Sequence, residues 1–117
     1  MNVQIEIHDG VSVARMPARL ALVNSAAVRR AMDEHIESVS SRLVVDLSGA
    51  EFVDSSGLAA LLAVIKNARR RGGDLVLASP RPRVLALIEL TRLDDVVAIL
   101  PTVTDAIGRL AAATRAA

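Results

Sequence analysis

The chain has 117 residues and a formal net charge of +1, with acidic and basic residues interspersed. This length suits one ordinary domain, so we expect a single domain over residues 1–117, with residues 1–2 and roughly 112–117 frayed. The weak net charge creates no field that would favour nucleic acid or an anionic membrane as a direct partner.

The residue types exclude several kinds of site. The chain has no cysteine and only one aromatic residue, a phenylalanine, which excludes thiolate catalysis and disfavours the stacking of bases. His8 and His35 are too few for a zinc site, so we expect no metal. The longest apolar run, residues 58–65, falls short of the about 20 residues that span a bilayer, and residues 1–10 lack a secretory pattern. We therefore expect a cytoplasmic chain without a membrane span.

The first predicted element is a β-hairpin. Val3, Ile5 and Ile7 alternate with polar residues, which is the period of a half-buried strand. Asp9-Gly10 then predicts a tight turn into a second strand.

Helices and strands alternate after the hairpin. In order, the sequence predicts a helix that Asn24 or Ser25 caps and that ends near Ser40, a strand at 43–47, a helix from Ser56 or Gly57 to about 71, a strand at 75–77, a helix starting at Pro82, a strand at 96–100 and a helix capped by residues 102–105. The order ββαβαβαβα predicts an α/β fold with about four helices and a mostly parallel sheet with an antiparallel start.

Residues 46–58, D-L-S-G-A-E-F-V-D-S-S-G-L, place acids and small polar residues between a buried strand and a helix. Loops at the carboxyl ends of strands are where α/β proteins bind ligands. Asp54 and Ser55 lie at the predicted helix start, where free backbone N–H groups and the helix dipole favour negative charge, so a phosphoryl group would fit on Ser55. The same residues are typical helix caps, and Gly57 suits either a close backbone approach or a tight turn.

This segment resembles the signature of the STAS family, named for sulfate transporters and anti-sigma-factor antagonists, in which D-S-S-G-L or D-S-T-G-L follows a strand ending in D-L. The resemblance continues through R-R-R-G-G-D-L-V-L-A at residues 69–78 and V-L-A-L-I-E-L-T-R-L-D-D-V-V-A-I-L at residues 84–100. It covers nearly the whole chain and implies a single STAS domain.

Resemblance to the soluble antagonists implies a switch. Their phosphoacceptor, the serine directly after the aspartate, corresponds to Ser55. The unphosphorylated form binds an anti-sigma factor kinase and frees a sigma factor, phosphorylation ends this binding, and a phosphatase restores it. The implied partner-binding residues are Glu51, Asp54, Ser55, Ser56 and Gly57. The chain would have no catalytic residue and no cofactor, because the kinase supplies ATP and magnesium, and would be a monomer or weak dimer.

The chain departs from the antagonists at one place. They usually carry a G-E-L-D-like segment after the second strand, whereas this chain has Ala18-Arg19-Leu20-Ala21. The family's aspartate there lies near the phosphoacceptor. Because Ala21 replaces it, we expect a change in how the chain binds its kinase and in how efficiently it is phosphorylated, but no change in the fold.

Other functions remain open at this point. A serine hydrolase would need a glycine where Val53 stands and a histidine as base. A phosphoaspartate receiver could use Asp46 or Asp54 as acceptor but needs an acidic pair after the first strand, where only Asp9 is found. Within the family, STAS domains also serve as scaffolds of stress complexes or as subunits of lipid-transport complexes, without a sigma factor. The arginines at 69–71 are typical of a solvated helix end.

Overall fold

The computed structural model describes the backbone of residues 3–116 and the side chains of residues 3–112. The strands are β1 Gln4–His8, β2 Val11–Arg15, β3 Arg19–Leu20, β4 Arg42–Asp46, β5 Phe52–Val53, β6 Asp74–Ala78 and β7 Ile99–Leu100. The helices are α1 Ser25–Ser38, α2 Ser55–Arg70, α3 Pro82–Leu90 and α4 Val103–Ala116, with a 3-10 helix at Leu93–Asp95. Of the residues expected to fray, 1–2 and roughly 112–117, the structure describes only the backbone of 112–116, which belongs to α4, and the side chain of residue 112. Residues 1–2 and 117 lie outside the described residues.

The main sheet has five strands in the order β1-β2-β4-β6-β7. β1 pairs antiparallel with β2, and every other neighbouring pair in this sheet is parallel. Asp9 and Gly10 both have positive φ angles, 55° and 78°, which are the conformations that a two-residue hairpin turn of this kind requires. The predicted α/β class, four helices and antiparallel start are confirmed.

Helices cover both faces of the sheet. Leu43 and Val45 of β4 lie in a core cluster with buried residues of α1, α2 and α3. Val44, between them, lies in a second cluster with Ala106 and Leu110 of α4. Successive residues of a strand point to opposite faces, so a strand buried on both sides is apolar throughout. This explains why the sequence shows a continuous apolar run and no alternation at this strand.

Two differences from the predicted elements concern short segments. The pair β3 and β5, of two residues each, forms a separate parallel sheet that the sequence did not predict. The last strand of the main sheet is Ile99–Leu100 and not residues 96–100, because Arg92 adopts a left-handed conformation (φ 62°) and a 3-10 turn follows it. Within residues 3–116, no helix is both long and apolar enough to cross a membrane.

The predicted bounds of α1 are confirmed, because the helix begins directly after Asn24 and ends at Ser38, near Ser40. The capping hydrogen bond is absent, however, because the Asn24 side chain does not bind the first turn of the helix. Instead the Asn24 amide accepts a hydrogen bond from the Ala21 N–H (2.9 Å) and donates to the Arg19 carbonyl (2.7 Å). Asn24 therefore closes the turn between β3 and α1.

Candidate functional site

The signature segment lies against the segment that departs from the antagonist pattern. The N–H groups of Glu51 and Phe52 both donate to the Ala18 carbonyl (2.8 and 3.0 Å), and the Asp54 N–H donates to the Leu20 carbonyl (3.2 Å). These bonds flank the pairing of β3 with β5. The stretch from Ala18 to Leu22 therefore forms one wall of the site.

Asp54 joins the start of α2 to that wall. Its backbone is extended (φ −105°, ψ −174°), as a residue just before a helix should be. One carboxylate oxygen accepts from the Gly57 N–H (2.9 Å) and the other from the Leu22 N–H (3.1 Å). The predicted cap is confirmed for Asp54, and the same side chain also fixes the loop between β3 and α1.

These backbone donors stabilise the charged form of Asp54. The hydrogen bond from the Gly57 N–H, with smaller contributions from Leu22 and Ser56, lowers the pKa of the Asp54 carboxyl below its ordinary value of 3.8. A carboxylate that accepts backbone hydrogen bonds is harder to protonate than one in water. The cap therefore remains charged in mildly acidic solution.

We predict that the Asp54 carboxyl titrates below the ordinary aspartate range in a carbon NMR titration, because its pKa is lowered in the folded chain. The stabilisation it provides is fully present above the ordinary pKa of 3.8, which applies to the unfolded chain, and is lost as the pH falls through the lower folded-state pKa. Asp54→Asn should lack this acid-dependent loss. A titration midpoint at or above the ordinary value would contradict the assignment.

Ser55 is the first residue of α2, and its side chain is exposed. Among the residues whose side chains are described, none forms a hydrogen bond with its hydroxyl. Ser56 is half-buried and faces a groove between α1 and α2. The exposed Glu51 side chain makes no hydrogen bond or ion pair within the described residues. The structure thus brings Asp54, Ser55, Ser56 and Gly57 together at the helix start and leaves Glu51 beside them at the surface.

Gly57 is buried at the closest contact between α2 and β3. A Cβ atom at this position would lie 2.4 Å from the Leu20 carbonyl oxygen and 2.9 Å from carbon atoms of the Leu20 and Val53 side chains. These distances are shorter than non-bonded atoms allow. Of the two sequence explanations for this glycine, close backbone approach is the correct one.

Sequence reasoning missed an apolar surface beside the site. Leu22 and Val23 are 77% and 91% exposed and follow the β3 wall directly. Phe52 is also partly exposed, and the Arg19 guanidinium stacks on its ring at 4.5 Å from the centroid. Two adjacent apolar residues before a helix form no periodic pattern, so only the folded chain reveals that they lie beside Asp54.

The histidines that a serine hydrolase would need, and the acidic residue Asp9 that a phosphoaspartate receiver would need, lie away from the signature segment. His8 ends β1 at the hairpin turn, and His35 contacts the Ser12 hydroxyl. Ser12 pairs with Leu43 at the amino end of β4, and the hairpin turn that holds Asp9 lies beside it. The signature follows the carboxyl end of β4, so the structure brings neither histidine nor Asp9 to it.

Comparisons with known proteins identify the family to which this fold and this signature segment belong. A sequence model of the STAS domain family matches residues 2–106. An anti-sigma F factor antagonist from Paenibacillus polymyxa is 32% identical over 113 residues, covering 94% of this chain and 97% of the relative. An anti-sigma-B factor antagonist from Listeria monocytogenes is 29% identical over 105 residues, covering 85% and 90%.

A crystal structure of an anti-sigma factor antagonist from Mycobacterium paratuberculosis superimposes with a TM-score of 0.84 at 30% identity, covering 93% of this chain and 92% of that one. These similarities show that the chain is related to regulatory binding proteins and not to enzymes. Because the family model matches most of its length, the chain belongs to the STAS domain family.

Proposed function

We propose that this chain is a cytoplasmic anti-sigma-factor antagonist. Its unphosphorylated form binds an anti-sigma factor kinase and so frees a sigma factor, and phosphorylation of Ser55 ends the binding. The observation that carries this proposal is the exposed Ser55 hydroxyl on the first turn of α2, directly after the Asp54 cap. The relatives named as antagonists of anti-sigma factors support it, since the similarity covers 97% and 90% of their lengths.

A phosphoryl group on Ser55 is compatible with the fold. The hydroxyl is exposed, so the group needs no rearrangement of the core. It adds about two negative charges at a helix N-terminus, where the dipole tolerates them. The new charge lies beside the Asp54 carboxylate, however, and burying both against acids of a partner costs several kcal/mol. Phosphorylation therefore acts on the interface and not on folding.

The alanine at position 21 changes how this site is built. Ala21 is buried, and its N–H is already bound by the Asn24 side chain. The site thus lacks the carboxylate that antagonists usually place there, and Asp54 supplies the carboxylate at the start of α2. Recognition by the kinase therefore depends on Asp54, Ser55 and Ser56 at the helix start. The exposed apolar residues Leu22 and Val23 add a contact surface beside them.

We predict one phosphate on Ser55 after incubation with ATP, magnesium and the anti-sigma factor kinase that binds this chain. Mass spectrometry of the digested product locates it. Ser55→Ala is the control and should accept none, and a cognate phosphatase should remove the phosphate from the parent chain. Without the kinase no phosphate should be incorporated, since nucleotide and magnesium belong to the partner. Phosphate found only on Ser56 or Thr91 would refute the assignment.

A further inference from the structure

A groove of about 650 Å³ runs between α1 and α2 and begins beside the proposed phosphoacceptor. Ser25 and Ser56, at the starts of the two helices, line one end of it. Near the other ends of the helices, Asn67 of α2 donates to a carboxylate of α1, Asp33, at 2.9 Å. The two helices therefore run in the same direction, and we call the space between them the α1–α2 groove.

Two features shape the groove: alanines line it, and the buried Asn67 side chain links the two helices. Ala26 of α1 and Ala59 and Ala60 of α2 are among its lining residues, and their short side chains leave open space between the two helices. Asn67 is buried and its amide also reaches the Glu37 carboxylate, at 3.3 Å. A buried, hydrogen-bonded side chain holds its partners in place. The groove therefore presents a preformed surface.

The charges along the groove are separated by sign. Arg29 and Arg30 lie one turn into α1, towards the signature, and Asp33, Glu34 and Glu37 follow towards the far end. Arg29 is 3.4 Å from Asp33. Arg30 and Glu34, four residues apart on α1, make no ion pair and no side-chain hydrogen bond among the residues whose side chains are described. One cation and one anion are therefore free for a partner.

We propose that the α1–α2 groove receives a segment of the anti-sigma factor kinase that presents an acidic side chain to Arg29 and Arg30 and a basic side chain to Glu34. This inference rests on the proposed function. A kinase that phosphorylates Ser55 must lie over the start of α2, and the groove continues from there through Ser56. Separated charges on one surface select a partner with the opposite order of charges.

The same arrangement explains the effect of the phosphate. An acidic side chain that faces Arg29 and Arg30 lies near the first turn of α2. A phosphoryl group on Ser55 brings about two negative charges to that turn, and like charges brought together at an interface oppose binding. The kinase's acidic side chain, held by the arginines of the groove, is thus the charge that the phosphoryl group repels.

The test measures kinase binding of charge-reversed variants by calorimetry at low and high salt. We expect Arg30→Glu to weaken binding at least tenfold and Glu34→Arg severalfold, with smaller differences at high salt because screening weakens exposed ion pairs. The double variant Arg30→Glu/Glu34→Arg keeps the net charge but reverses the order of charges, so it should also bind weakly. Arg109→Glu on α4, on the opposite face of the sheet, is the matched control and should bind within twofold of the parent.

The outcomes separate this inference from the proposed function. If both single variants bind within twofold of the parent while Ser55→Asp binds weakly, the switch stands and the groove is not its docking site. Restored binding by the double variant would also overturn the proposed order of charges. If the parent chain does not bind the kinase, both proposals fail. If Arg30→Glu changes only the sedimentation of the isolated chain, the groove binds a second copy and the proposal is wrong.

Discussion

Gly57→Ala should lower the free energy of unfolding by about 1–3 kcal/mol, the usual cost of an extra methyl group in a tightly packed place. The added Cβ would lie 2.4 Å from the Leu20 carbonyl oxygen. That oxygen cannot move away freely, because it accepts the Asp54 N–H. This net loss already includes the gain of about 1 kcal/mol that alanine brings to an unobstructed helix position, because the steric cost of the contact with a held backbone oxygen is larger than that gain. Thermal unfolding followed by circular dichroism should show a melting temperature lower by roughly 5–10 °C.

Gly108→Ala is the matched control, because Gly108 is also a helical glycine. A Cβ there meets nothing within 4 Å, so this variant should unfold at the same or a slightly higher temperature. If the two variants unfolded alike, the close contact between α2 and β3 would not constrain position 57. Kinase binding by folded Gly57→Ala should also weaken, since the helix start must shift away from Leu20.

Local signals predicted the parts of the structure that neighbouring residues determine. The Asp9-Gly10 turn and the Asp54 cap depend on residues within about three positions, and both are found where the sequence places them. Turn and cap geometries need particular side chains or φ angles, so their residue types are informative. The four helices were predicted for the same reason, since the apolar stripe of each is local in sequence.

The contacts that form the wall of the site, from Ala18 to Leu22, cannot be predicted from a local sequence pattern. β3 consists of Arg19–Leu20, which is too short to show alternation. The Leu22 N–H and the Asp54 carboxylate are 32 positions apart in sequence. Asn24 has the residue type of a helix cap, but its side chain binds Ala21 and Arg19 instead. Long-range pairing decided these roles, and one sequence cannot specify which loop meets which.

Four of the five predicted site residues lie together at the start of α2, but the sequence did not predict what surrounds them. Asp54, Ser55, Ser56 and Gly57 are consecutive, so a helix that starts among them must bring them together. Ser56 turned out to face the α1–α2 groove while Ser55 is exposed, a difference set by how α2 packs on α1. That packing separates Ser55, the proposed phosphoacceptor, from Ser56, which lines the proposed docking surface.

Ser55→Asp should weaken kinase binding about ten- to a thousandfold, or roughly 1.4–4 kcal/mol, whereas Ser55→Ala should bind nearly as well as the parent chain and accept no phosphate. The charge, and not the hydroxyl, carries the signal, because the hydroxyl makes no hydrogen bond with the described side chains or backbone. Aspartate supplies one negative charge where phosphate supplies about two, so its effect should be partial. Calorimetry with the purified kinase measures both variants.

Stability distinguishes a lost interface from a lost fold in the same experiment. An acidic residue in the first turn of a helix is favourable by about 0.3–1 kcal/mol, so Ser55→Asp should unfold at a temperature no lower than that of the parent. Weak binding by a fully folded Ser55→Asp then reports on the interface alone. If Ser55→Asp and Ser55→Ala were both folded and bound the kinase equally well, the surface around Ser55 would not be the regulated one. A scaffold or lipid-transport role without a sigma factor would then account better for the chain, because those roles need the fold but not a charge-sensitive helix start.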